Sequence, residues 1–239
     1  MRGDSGFPVR LRFSKRGKVR FISHRDVARA FDRAFRIEQL PLAFTAGFVP
    51  RPKVSFGLAL SVGHESDAEY LDVELVETVG LDEWPVRLSA ALPEGITVTG
   101  ARALVERAPA LQESVTAVEY HLAITGASPV EITRLIERAL ASPTLETTRT
   151  RKGREVVEDV RPLLRAMTVA GASGDTTAID LEVATQPRGA RPGEIVAAVD
   201  ARLTAERVLR TRQWIERAGA KLAPLDADAR MRVPEARAS

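Results

Sequence analysis

Cysteine is absent from the 239-residue chain, and with it go disulfides, thiolate nucleophiles and cysteinyl metal or cluster sites. Histidine is nearly as scarce: His24, His64 and His121 stand far apart, without the short spacings of a zinc site. Aromatic residues are only 5% of the chain, and no strand pattern carries the paired aromatics on which an RRM sheet stacks bases. Recognition directed at a nucleic-acid backbone is left open. No apolar run nears the ~20 residues of a membrane span, and no charged-then-apolar leader opens the sequence. Neither G-x-x-x-x-G-K-[ST] nor G-x-G-x-x-G occurs, which removes the common nucleotide-phosphate loops. These absences predict a cytoplasmic protein with no metal or cofactor of its own.

What is present is sharply segregated. Residues 1–60 carry 13 Lys and Arg against 4 Asp and Glu, a balance of +9, whereas residues 61–120 carry 3 against 12, a balance of −9. The basic end suits a polyanion; the alternative is that the two stretches neutralise each other in space. Over residues 9–13, Val9, Leu11 and Phe13 alternate with Arg10 and Arg12, and after SKRGK the alternation resumes with Val19 and Phe21 against Lys18 and Arg20. Period-2 alternation predicts half-buried strands at 9–13 and 18–22.

Ser23, followed three residues later by Asp26, has the form of a helix cap. Val27, Ala30, Phe31, Ala34 and Phe35 then make one apolar stripe at helical spacing, as far as Pro41. Strands at 53–61 and 69–76, a helix at 81–92 and a strand at 96–104 complete the order β-α-β-β-α-β. A strand from Val118 to Ile124, a helix capped by Ser128, Pro129 and Glu131, a hairpin over 144–160, a strand around Ile179–Val183, a helix near Pro192 and a strand at 208–215 repeat it. The predicted fold is α+β: two tandem ferredoxin-like units, at 8–104 and 116–216, the first with an additional N-terminal hairpin. Residues 1–7 and 219–239 lack an apolar pattern and are expected to be disordered.

Three groups of residues bear chemistry. His24, at the first helical turn, is the candidate general base; its structural alternative is packing at the strand–helix junction. The loop GFVPRPK places Arg51 between Pro50 and Pro52 on a stiff backbone, with Lys53 beside it and Gly47 free to adopt a positive φ. Arg10, Arg12, Lys15, Arg16, Lys18, Arg20 and Arg25 add a basic strand face and turn, and Arg151, Lys152 and Arg154 a second basic hairpin tip. Glu65, Asp67, Glu69, Asp72 and Glu74 lack the glycine and ligand spacing of a calcium loop. They read as a solvated strand face or a docking surface for a partner.

The runs SHRD from Ser23, GFVPRP from Gly47 and ESDAEYLDVEL over 65–75 resemble the radical-SAM-associated DUF2344 family. Arg25 and Val49 stand where the family pattern has leucine and a polar residue. The resemblance implies a stand-alone form of a domain otherwise fused C-terminal to cobalamin-binding-type radical SAM proteins, and so a separately encoded radical SAM protein as partner. Without cysteine, this chain cannot hold that enzyme's cluster itself. The combined expectation is an accessory subunit, not an enzyme on its own, that presents structured RNA (tRNA or rRNA) through the basic surface. Two alternatives stay open: a metal-independent RNA-processing or RNA-modifying enzyme using His24, and a protein–protein adaptor without nucleic-acid binding.

Overall fold

A computed structural model describes residues 6–105, 108–151 and 153–228. The protein is a mixed α+β chain that divides into two compact units, the first made of residues 1–59, 69–114 and 222–239, the second of 60–68 and 115–221.

In the first unit, β1 (Phe7–Lys15) leads through a 3-10 turn (Gly17–Phe21) to α1 (His24–Ile37), followed by β2 (Val54–Phe56), β3 (Glu65–Leu75), α2 (Trp84–Ala91), β4 (Ile96–Ala103) and the short α3 (Leu111–Ser114). The strands lie in the order β4-β1-β3, with β2 on the outer side of β3. β1 and β4 are antiparallel, Val9 opposite Ala103 and Lys15 opposite Ile96. Val9, Leu11 and Phe13 meet Val27, Phe31 and Phe35 of α1 and Leu71, Val73 and Leu75 of β3 in one buried cluster. Phe13 and Phe31 pack edge-on at 4.8 Å, so the alternation of β1 and the helical stripe of α1 are the two halves of one core.

The second unit holds β5 (Ala117–Thr125), α4 (Pro129–Ala141), a separate hairpin of β6 (Glu146–Arg151) and β7 (Arg154–Asp159), β8 (Leu164–Ser173), β9 (Thr176–Ala184), α5 (Pro192–Val199) and β10 (Thr204–Arg217). Its strand order is β10-β5-β9-β8. Residues Glu65 and Ser66 of β3, which belong to this unit, lie parallel to Leu209 and Arg210 of β10. Set aside the β6–β7 hairpin, and each unit runs β-α-β-β-α-β.

Three expectations are corrected. Residues 18–22 form no strand and there is no added hairpin: Gly17, at φ +69°, turns the chain into the 3-10 helix. Both edges of β1 are already occupied, by β4 and β3, so a hairpin partner has no edge to pair with. β8 was not anticipated, because LRAMTVAGAS alternates little. The stretch from 219 is ordered as far as 228, with β11 (Ala220–Leu222) and α6 (Pro224–Ala227). Leu225 of α6 lies over the open face of the first sheet, where a Cβ on Gly100 would sit 2.8 Å from its Cδ2. The residues expected to be disordered at 1–5 and 229–239 fall outside the described range.

Candidate functional site

The turn between β1 and α1 gathers the exposed cations. Arg16, Lys18 and Arg25 are exposed. The Arg20 guanidinium sits 4.6 Å above the Phe21 ring, and that ring is 61% exposed. The acid in this segment is exposed but bonded locally: the Asp26 carboxylate accepts from the Ser23 hydroxyl at 2.7 Å and the Ser23 N–H at 3.3 Å, and from Arg29 at 3.2 Å. These bonds from Ser23, the side-chain one foremost, hold the Asp26 carboxyl below the usual range. The same pairing closes the capping box of α1, since the Asp26 N–H donates back to Ser23 Oγ. The cap of α1 thus lies directly beside the cations of the turn, with Arg25 inside the cap itself.

His24 opens α1 exposed to solvent, its ring edge-on to Phe56 of β2 at 5.0 Å. Among the described residues no hydrogen-bond partner orients its nitrogens.

The loop before β2 is a small hairpin. Thr45 N–H donates to Arg51 O at 2.8 Å, Lys53 N–H donates to Ala43 O at 2.8 Å, and Ala43 N–H donates to Glu74 O at 2.7 Å. Arg51 N–H donates to Thr45 Oγ1 at 3.1 Å, and Phe44 bridges Pro52. Residues 46–50 form the tip. Gly47 adopts φ +137° there with no atom near its missing Cβ, and Phe48 is 107% exposed. Arg51 is exposed on the stem, while Lys53 pairs with Glu74 at 2.9 Å. The chain then enters β2, whose Phe56 carries His24.

Several residues expected to bind ligand are part of the interior. Arg10 is 0% exposed. It forks onto Asp72 at 2.7 and 2.8 Å, reaches Asp228 at 3.3 Å and donates to Pro224 O at 2.9 Å. Period-2 reading placed it on the correct face of β1, but α6 covers that face. Burial pushes the Asp72 carboxyl up, against the opposing pull of Arg10. Tyr70, on the same face, has its phenol pushed up to about 12, first by burial, with the Arg12 charge opposing. Arg12 is half-buried beside it.

Lys15, 3% exposed, donates to the carbonyls of Arg20 and Ile22 at 3.3 and 3.1 Å and ties the 3-10 turn to the sheet. Burial lowers the pKa of its ammonium, and the charge of Glu69 opposes that. The acidic docking face is likewise corrected. Glu65 and Glu69 are buried, Glu65 pairs with Arg207 at 3.2 Å, Asp72 with Arg10 and Glu74 with Lys53. Asp67 is half-buried. Part of the charge segregated along the sequence is paired in space, Arg10 with Asp72 and Lys53 with Glu74. In the second unit Arg154 is exposed on β7, and Lys152 lies outside the described residues. The exposed Phe21 and Phe48 were not singled out from the sequence; Phe48 stands inside the motif GFVPRP, which was the one available signal.

Solved structures similar to this chain include a Cbf5-Nop10-Gar1 complex (14% identity, TM-score 0.46, covering 89% of this chain and 54% of that one). An archaeal box H/ACA sRNP Nop10-Cbf5 complex matches at 11% identity and TM-score 0.44, over 85% and 47% of the two chains. An H/ACA RNP bound to a substrate RNA containing 2'-deoxyuridine matches at 12% and 0.44, over 89% and 53%. The chain spans about half the length of the chains it matches. No curated protein is similar to it in sequence. Residues 9–192 match the family described as "Uncharacterized protein conserved in bacteria (DUF2344)", and the chain belongs to that family.

Proposed function

We propose that this protein binds structured RNA, of the tRNA or rRNA kind, through phosphate contacts made by the turn between β1 and α1, and presents it to an enzyme on another polypeptide. The observation that carries this reading is the run Arg16–Arg25, with Arg16, Lys18 and Arg25 exposed and the neighbouring carboxylate of Asp26 held by its own helix cap. Exposed cations beside a helix N-terminus suit phosphate oxygens. His24, exposed at the start of α1 beside Arg25, supports the reading as a further contact on the same turn. The partner in this reading is a radical SAM protein, as the family resemblance implies, and the lack of cysteine leaves the cluster to that partner.

The test is a salt titration of RNA affinity. Neutralising several phosphates makes affinity fall by orders of magnitude between ~50 and ~200 mM salt. The variant carrying Arg16→Glu, Lys18→Glu and Arg25→Glu is expected to bind weakly at all salt concentrations, with a log–log slope shallower by about 2 to 3. Wild-type affinity that does not respond to salt, or an unchanged slope in the variant, sinks the reading.

A further inference from the structure

The hairpin 43–53 presents an aromatic ring that no described residue of its own unit covers. Its stem is fixed by the Thr45–Arg51 and Lys53–Ala43 bonds and by the Phe44–Pro52 bridge. Gly47 turns the tip at φ +137°, and Phe48 projects beyond it at 107% exposure, with Val49 and Phe44 exposed alongside. A lone exposed apolar residue is ordinary; a cluster of them on a braced tip marks a contact surface. The charge around the tip selects the occupant. Between Glu38 and Glu65 the sequence contains no carboxylate; Lys53 is paired with Glu74, and Arg51 is the exposed cation beside the tip. A partner that brings negative charge together with a flat apolar surface fits this combination, and an unpaired nucleotide is such a group.

We infer that Phe48 stacks on an unpaired base of the RNA while Arg51 holds a neighbouring phosphate, so that the hairpin selects loops or single-stranded ends over duplex. This rests on the RNA-binding reading above and adds the state of the RNA to it. Bases inside an A-form helix are already stacked on both faces, and its deep groove is too narrow to admit a protein tip. An unpaired base offers a free face, and stacking on an aromatic ring is tolerant of sequence.

Fluorescence anisotropy with a short labelled single strand and with the blunt duplex of the same length tests the inference. Phe48→Ala is expected to weaken single-strand binding roughly tenfold and to leave duplex binding unchanged. Phe48→Trp is expected to keep single-strand affinity, with its added indole emission quenched by that strand. Arg51→Ala is expected to weaken both. If Phe48→Ala binds the single strand like wild type while the triple charge variant does not, the stacking role is overturned and the phosphate-binding reading stands. If wild type binds neither RNA at low salt, both readings fall. An indole in Phe48→Trp that responds to anionic lipid vesicles, or to a protein, and not to the single strand also overturns the stacking role.

Discussion

Arg10, Arg12 and Tyr70 show what alternation can and cannot tell about a side chain. Period 2 assigns each residue to a face of the sheet; it does not say whether that face meets water. Arg10 and Tyr70 stand opposite the helices and would be exposed in a sheet with one bare face, yet both are buried; over Arg10 closes a segment more than 200 positions away, at Pro224 and Asp228. No local pattern announces such a cover. Tyr70 converts its own burial into a measurable pH dependence. Its phenol is raised from 10.0 to about 12 in the folded protein, so between those values the unfolded chain loses a proton that the folded chain keeps. Stability from this group is therefore complete below pH 10 and falls as pH rises towards 12, by about 2–3 kcal/mol in all. Tyr70→Phe is expected to remove that alkaline loss; urea unfolding of both proteins at pH 8 and pH 11 checks it, and parallel losses would contradict it.

The first helix and the turn before it differ in how well the sequence foretold them. α1 was readable because three independent signals agree: the Ser23–Asp26 pair, the apolar stripe and the stop before Pro41. The 3-10 turn was not, because Lys18, Val19, Arg20 and Phe21 alternate as a strand does while the topology leaves them no neighbour. What holds the turn instead is Lys15 reaching the carbonyls of Arg20 and Ile22, a side-chain bond that periodicity cannot reveal. The cap can be weighed by itself. Ser23→Ala removes the acceptor for the Asp26 N–H and the donor that fixes the Asp26 carboxylate, and is expected to cost about 1 kcal/mol in urea unfolding. A change below the error of that measurement would show that the cap is dispensable.

The division into two units was visible as a repeated element order, but its boundaries were not. Residues 60–68 belong with the second unit and 222–228 with the first, exchanges that come from the pairing of Glu65 and Ser66 with β10 and from the hold of Arg10 on Asp228. A chain ending at Lys221 strips the cover from Arg10 together with the Pro224 carbonyl and the Asp228 carboxylate that it engages. That truncation is expected to lower the urea midpoint of the first unit and spare the second. Trp84 is buried in the first and Trp214 lies in the second, so the variants Trp214→Phe and Trp84→Phe report each transition separately; equal shifts in both would refute the assignment.

The return of residues 222–228 to the first unit also sets an order of events during synthesis. A nascent chain emerges from its N-terminus, and domains generally complete themselves as they leave the ribosome. Here the strand carrying Arg10 is made first, and the carboxylate of Asp228 that it engages arrives only after every residue of the second unit. Until then the first sheet keeps an open basic face. The first unit to be made is the second to be finished.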